Sequence, residues 1–533
     1  MAKETLFYGG TILPMTGEQN RAGALLVREG RIAFVGALDK AKALSGPDTE
    51  QVDLKGKTLL PAFIDAHSHL PMAAQFSCFA DLGDCTNLEQ IAAVLTDYQR
   101  EHAIGPEGAV LGVNYDNNFL DGSVHPDRTL LDHVSIDTPV FALHVSGHMG
   151  VANSRLLELC GYTDDSPDPQ GGRLGRDAEG HLTGYLEEVS AMTPAMMAAF
   201  GRVKMDMPAQ MAAAQQQYLS YGVTTVQDGA GSPQSLQMLS AFAAAGLLKL
   251  DVVSYPMADK DAEQTIAAYP AHDGRYSGHY KIGGYKVVLD GSPQGRTAWL
   301  SRPYEGSDFC AYPYMQGKAL YDICKQAVAN HRQLLAHCNG DAASEQFLNQ
   351  YTRAWSESPD HPMLRPTMIH CQTVRDDQLD RMPALGMIPS IFVAHTYFWG
   401  DVHLKNLGPQ RGARISPARS ALERGLVYNF HQDTPVTKPD MLLIIWCAVN
   451  RRTRTGVSIG PEQAVCVYDA LKGVTVNAAY AYGEEDSKGT LEAGKLADLV
   501  VLEADPLSVE PMAIKDIAVA ATYKEGECLY GGL

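Results

Sequence analysis

His67 and His69 stand two apart at the end of an apolar run, residues 59–66. In an extended chain, side chains two apart point to the same face, so both imidazoles can reach one ion beyond the last buried residue. A lone His-x-His also has a plain alternative, two solvated histidines. Four later segments repeat the form of an apolar run carrying a metal-competent side chain. Residues 284–291 hold Lys286 and Asp290, residues 333–338 end in His337 and Cys338, residues 367–371 end in His370 and Cys371, and residues 426–433 end in His431, Gln432 and Asp433. Neutral imidazoles and carboxylates suit Zn²⁺ and its neighbours, with one position left open for water. Water on such an ion ionises near neutral pH and attacks an amide or amidine carbon.

In this order the segments resemble the metal-dependent amidohydrolase superfamily, which has His-x-His after the first barrel strand, Lys or Glu after the fourth, His after the fifth and sixth, and Asp after the eighth. Within it the chain looks like the branch holding N-substituted formamide deformylases. That look is carried by Lys286 with residues 290–292 and 295–298, His337 with residues 339–341, residues 433–436, and the tail 489–500. The resemblance implies a ligand set of His67, His69, Lys286, His337, His370 and Asp433 for one or two Zn²⁺ ions, with Asp433 taking a proton from water and passing it to the departing nitrogen. An ammonium has no lone pair to give, so Lys286 as a ligand implies carbamylation by CO₂. Its alternative is a lysine that pairs with Asp290 or binds substrate. Asp433 has an alternative too, as a helix N-cap ahead of Pro435. His148 and His395 are candidates to orient a substrate carbonyl or leaving group, and Arg296 to hold an anionic substituent; each also reads as a structural residue. His431 and Gln432 replace the smaller Gly-Ser often found before the family's Asp, which changes the pocket beside the metal.

The elements that must position these residues follow from the spacing of the apolar runs. The expected fold is α/β, a (β/α)₈ TIM barrel whose strands lie near residues 59–69, 222–228, 248–255, 284–290, 333–338, 367–371, 388–395 and 426–433, with the proposed ligands at their C-terminal ends except Lys286, which sits earlier in its run. Residues 1–58 and 489–533 are strand-rich and, by the resemblance, pair into a small β-sandwich; residues 59–488 form the barrel. About 150 residues separate the first two runs, far more than a βα connection needs. Residues 70–221 therefore read as an inserted domain or lid, with strand-like stretches at 110–115 and 139–144 and helices at 195–200 and from 208.

Composition bounds the partners. A net charge of −19 over 533 residues disfavours nucleic acid and anionic membranes, and no apolar run is long enough to span a bilayer. Charge within residues 1–8 argues against a secretory leader, so the cytoplasm is the expected compartment. Ten scattered cysteines without a Cys-x-x-Cys spacing fit buried thiols in a reducing environment, Cys338 and Cys371 included. The expected partner is a small-molecule substrate, with a homodimer left open. The expected reaction is hydrolysis of a nonpeptide C–N bond, foremost a linear amide such as an N-formyl or N-acyl amine. Cyclic amide hydrolysis, deamination, and a noncatalytic regulatory or binding role on the same barrel are the alternatives.

Overall fold

A computed structural model describes residues 4–258 and 261–533. The chain divides into two compact units, one formed by Met1–Ala73 with Met211–Leu533 and the other by Ala74–Gln210.

In the first unit the apolar runs form two parallel ladders. One runs Phe63–Ile64, Val223–Gly231, Asp251–Pro256, Tyr280–Ile282; the other runs Gly284–Val288, Gln333–Cys338, Thr367–His370, Ile388–Ile391, Asn429–Phe430. These strands are buried almost without interruption, as parallel strands covered on both faces must be. Main-chain bonds join the ladders at both ends. Met257 bridges Lys286, and Ala258 N–H donates to Lys286 O at 2.7 Å. On the other side Asp433 N–H donates to His67 O at 3.1 Å, and His69 N–H to Thr434 O at 2.8 Å. Helices alternate with the strands. Pro233–Ala244 starts from a Ser232–Ser235 capping box, and Asp341–Ser356 begins where the strand carrying His337 ends. The seventh strand is shorter than the sequence pattern predicts: Ile388–Ile391 gives way to a helical turn, His395–Phe398, so His395 lies beyond the strand.

Both chain ends meet in one eight-stranded sheet, in which Glu4–Ile12 is central and Thr58–Pro61 pairs antiparallel with Leu499–Leu502. The apolar run at 59–64, read as a single barrel strand, is thus split between two sheets. Leu59 and Leu60 face Val501 and Val500 in the terminal sheet, while Phe63 N–H turns to Gly222 O. Pro61, with no N–H to continue the ladder, stands at the change of sheet. An unbroken apolar run carries no mark of such a handover.

A buried ion network ties the terminal strands to the parallel ones. Lys488 Nζ lies 2.5 Å from Asp251 and 2.7 Å from Glu484; Lys524 lies 2.8 Å from Asp251 and 3.0 Å from Asp498; Lys281 pairs with Glu484. Three ammonium groups thus meet three carboxylates out of water.

The second unit has its own six-stranded sheet, ordered Arg173–Arg176, Leu182–Glu187, Met149–Ala152, Val140–His144, Val110–Tyr115, Ala80–Asp81. Asn87, Asp127 and Asn153 cap its helices at Leu88–Glu101, Arg128–Val134 and Ser154–Cys160. The stretch at 195–200 lies within the helix Val189–Phe200, and the one from 208 within Met207–Ser220. The compact unit is narrower than the 70–221 insertion expected, because Met211–Ser220 packs with the first unit.

Candidate metal centre

His67, His69, His337, His370 and Asp433 come from the ends of four strands of the first unit and Lys286 from the middle of Gly284–Val288, and they form one connected cluster. One ligand atom each from His67, His370 and Asp433 lies within 4.8 Å of the others. Asp433 Oδ1 is 3.2 Å from His69 Nε2 and 3.4 Å from His67 Nε2. Lys286 Nζ is 3.0 Å from His67 Nε2, and His337 Nδ1 is 3.0 Å from His370 Nε2. The ladder register accounts for the last pair, since Cys338 stands opposite His370 and His337 opposite Ile369 on adjacent strands.

Each of three histidines is turned by a bond at its other nitrogen. Gln227 Oε1 accepts from His67 Nδ1 at 2.5 Å, which leaves the Nε2 lone pair toward Lys286 and Asp433. Gly291 O accepts from His337 Nε2 at 3.2 Å, which leaves Nδ1 toward His370. His370 Nδ1 donates to His431 Nε2 at 3.2 Å, and His431 Nδ1 donates to Ser390 Oγ at 2.9 Å. In the tautomers that keep these bonds, with Asn339 Nδ2, 3.0 Å from His337 Nε2, donating to Gly291 O instead, His337 Nδ1 and His370 Nε2 turn their lone pairs toward each other. Such an arrangement is the orientation that ligating histidines take.

Electrostatics point the same way. Burial, then the neighbouring Lys286, holds His67 well below the usual imidazole range; burial, then His337, does the same to His370. Both are therefore neutral donors of electron pairs. Burial pushes Lys286 down to about 8 against the opposing pull of Asp433, so its amine gives up its proton more readily than an ordinary lysine does. At Asp433 burial works to raise the carboxyl, but the bond from His69 and the nearby positive charges outweigh it, and the group stays ionised. Backbone strain concentrates here as well: His370, Cys371 and Asp433 have φ of 77°, 50° and 57°, a region non-glycine residues seldom enter.

The Lys286–Asp290 pair and the Asp433 helix cap do not form. Lys286 points to His67 while Asp290 accepts from the backbone N–H groups of Trp299, Asn339 and Gly340. Asp433 caps no helix: the next one, Met441–Asn450, starts from Asp440, whose side chain accepts from Leu443 N–H. Among the remaining candidates, Arg296 donates to Ser307 Oγ at 2.9 Å and lies over the Tyr304 ring, a setting of local packing. His148 belongs to the second unit, where its Nδ1 is 3.1 Å from Glu188. His395 is buried, with Nδ1 3.0 Å from His403 Nε2. Cys338 and Cys371 are buried thiols that burial raises above the usual range, which makes them inert.

Three residues of the centre carry roles that the sequence pattern does not reveal. Gln227 reads as an ordinary strand residue in residues 222–228, and the only signal is an amide in a run that must be buried on both faces. His431 reads as a change of pocket shape, whereas the structure makes it the partner of His370. Ser390, bonded to His431, carries no signal at all.

A second group of possible ligand atoms, Asp251, His279 and Glu525, lies among the buried ions. There Asp251 already faces Lys488, Lys524 and His279, so its charge is answered by the protein itself.

The amidohydrolase family profile matches residues 50–530. An N-substituted formamide deformylase of Arthrobacter pascens is 28% identical over 99% of this chain and 98% of its own length. A putative amidohydrolase of Bacillus subtilis strain 168, YtcJ, is 25% identical over 99% of both chains. The crystal structure of an uncharacterised metal-dependent hydrolase from Pyrococcus horikoshii OT3 superposes with a TM-score of 0.76 at 25% identity, covering 96% of this chain and 99% of the other.

Proposed function

We propose, since this chain belongs to the amidohydrolase family, that its metal centre hydrolyses a linear amide, an N-formyl or N-acyl amine. The protein is a metal-dependent hydrolase acting on C–N bonds with a TIM-barrel-type fold. The linear amide is favoured by the 28% identity to a formamide deformylase along nearly the full length of both chains. One observation carries the assignment of the centre: ligand atoms of His67, His370 and the ionised Asp433 lie within 4.8 Å of one another, with His337 Nδ1 3.0 Å from His370 Nε2.

Zn²⁺ suits this set of imidazoles and carboxylates, and when bound it supplies the Lewis acidity that acidifies water and polarises a carbonyl. His67, His69, His337, His370 and Asp433 would hold it, with Lys286 joining them once carbamylated. That modification adds CO₂ to the neutral amine and releases one proton. It is supported by the buried position of Lys286 Nζ, 3.0 Å from His67 Nε2. Asp433 is the general base. Ionised and held by His69, its Oδ1 is placed to take the proton of the attacking water and return it to the amide nitrogen as the C–N bond breaks. The amine leaves neutral and the acyl group as an acid.

With Tyr280–Ile282 and Gly284–Val288 counted as one strand interrupted at Gly283, the parallel ladders linked at both ends support a closed eight-stranded barrel, and the terminal sheet a sandwich; the insertion, residues 70–221 in outline, is read as a separate domain. No helix among the described residues is long and apolar enough to cross a membrane, and the reading puts the enzyme in the cytoplasm acting on a small molecule. Incubation of zinc-loaded and chelator-stripped protein with a panel of N-formyl and N-acyl amines, hydantoins and aminopyrimidines tests the reading. Amine release from the linear amides, lost on stripping and regained on reloading, is expected. Turnover confined to the ring compounds would replace the linear amide with a cyclic one, and no turnover of any compound by loaded protein would refute it.

A further inference from the structure

His395 and His403 form a second pair of buried histidines, outside the ligand set. His395 opens the helical turn His395–Phe398 beyond the C-terminal end of strand Ile388–Ile391, the end at which the ligands lie, and His403 follows on the helix Gly400–Ala413. Their rings are nearly coplanar, 18° apart, with His395 Nδ1 and His403 Nε2 at 3.0 Å, the arrangement of an in-line hydrogen bond. Phe392 and Trp399 flank His395 with ring centroids at 4.7 Å and 4.5 Å, so its orientation is fixed on either side. Phe392 in turn packs against His431 at 5.2 Å and His370 at 6.1 Å, which sets the pair beside the metal centre.

One proton lies between the two rings, and burial decides whose it is. His403 is fully buried, and its Nδ1 has no hydrogen-bond partner. A buried N–H without an acceptor is rarer and costlier than a lone pair without a donor, so neutral His403 carries its proton on Nε2 and donates it to His395 Nδ1. His395 then has its own proton on Nε2, the nitrogen on the side of the ring away from His403. Both rings are neutral, since burial holds His395 well below the ordinary imidazole range and brings His403 down to about 3.

We propose that His403 locks His395 in the Nε2–H tautomer, and that this N–H donates to the substrate carbonyl oxygen as it becomes an oxyanion. The second half of this rests on the hydrolase reading above, and the first half does not. His395 is then the catalytic donor and His403 a positioning residue. A fixed donor aimed at developing negative charge is typically worth about 10²–10³-fold in kcat.

Two experiments test it. The first is nitrogen-15 NMR of histidine-labelled protein, with the His395 signals assigned by their loss in His395→Phe. A proton on Nε2 and a hydrogen-bonded, unprotonated Nδ1 are expected. The second uses a compound that wild type hydrolyses. His395→Phe is expected to lower kcat by about 10²-fold with metal content kept. His403→Leu should lower kcat more than it changes KM, and His403→Gln, whose amide N–H can reach the same point, should restore much of it. A proton on His395 Nδ1 in wild type overturns the lock. Unchanged kcat in His395→Phe overturns the donor. If no compound is hydrolysed by wild type, the reaction assignment fails, and the spectrum still decides the tautomer.

Discussion

Replacement of Gln227 by leucine isolates what holds His67 in place. The side chains have similar volume, so the cavity term is small and the loss is polar. Gln227 Oε1 accepts from His67 Nδ1 at 2.5 Å, and its Nε2 donates to Ala66 O at 3.0 Å and to Tyr482 Oη at 3.1 Å, all in the buried interior. Leucine leaves the His67 N–H and the Ala66 carbonyl without these partners, while Tyr482 keeps its own bond to Asp65 O at 2.8 Å. A buried group deprived of its partner costs roughly 1–3 kcal/mol, and loss of the residue that orients a ligand histidine typically weakens a metal site by about 10–100-fold. The expected result is therefore a fall in metal affinity of that order, measured by competition with a chromophoric chelator. Unfolding of the metal-free protein in urea should show a separate loss on the order of 2 kcal/mol. Gln227→Glu, which keeps an acceptor for His67, should retain more affinity than Gln227→Leu. Metal affinity in Gln227→Leu within twofold of wild type would refute the view that this bond sets the His67 lone pair.

Asp433→Asn keeps shape and a weak ligand oxygen but cannot take and return a proton, so kcat should fall by about 10²–10⁴-fold with KM little changed; an unshifted pH–rate profile at near-normal kcat would count against Asp433 as the base. Lys286→Ala should lose metal, and short carboxylic acids should restore part of the activity by filling the gap left by the carbamate; an unmodified amine in a fully loaded crystal grown with bicarbonate would refute the modification. His403 supplies a pH test of the metal-free protein. Its folded value, brought to about 3 by burial, lies below the unfolded value near 6.5, so the unfolded chain binds the proton first. Its contribution is full above pH 6.5 and is lost as pH falls through the folded value. Urea unfolding between pH 6.5 and 4 should then show a steeper loss of stability in wild type than in His403→Leu, and equal slopes would contradict this.

The order of the ligand types and the strands that bear them are legible in the sequence because both are written locally. A buried parallel strand is an apolar run, and a histidine or aspartate at its end stands out against it. Orientation is not written locally. Whether His370 offers Nε2 rather than Nδ1 depends on His431 and Ser390, which reach it from other strands. The φ of 77° at His370 is equally hidden, since left-handed backbone is signalled by glycine and this residue is not one. The split of residues 59–64 between two sheets escapes for a related reason: hydrophobicity marks burial, and both sheets bury the run. Arg296, a candidate from charge alone, turns inward to Ser307 and Tyr304 because a guanidinium can be satisfied by any nearby acceptor and ring.

Two clusters of cation-competent groups exist among the described residues, and what surrounds them distinguishes their roles. Asp251 begins its strand, at the end of the parallel ladder opposite the metal ligands, and there it meets Lys488 and Lys524 within 2.8 Å. Burial alone would raise this carboxyl, yet the two ammonium groups hold it well below the usual range. Its charge is neutralised in place, and an ion added there would have to displace a lysine. Removing one partner would leave a buried charge uncompensated, which is why such a network fixes how the terminal strands dock against the ladder more surely than it adds net stability. At the other end the protein does the opposite. It spends Gln227, Gly291 O and His431 on the far nitrogens of three histidines and turns their near nitrogens toward one another and a carboxylate, with the amine of Lys286 and the ring of His69 among them. Folding alone gives no reason to bring histidine nitrogens and a carboxylate together in a buried place and to strain His370 and Asp433 in doing so. A site built to receive a cation does.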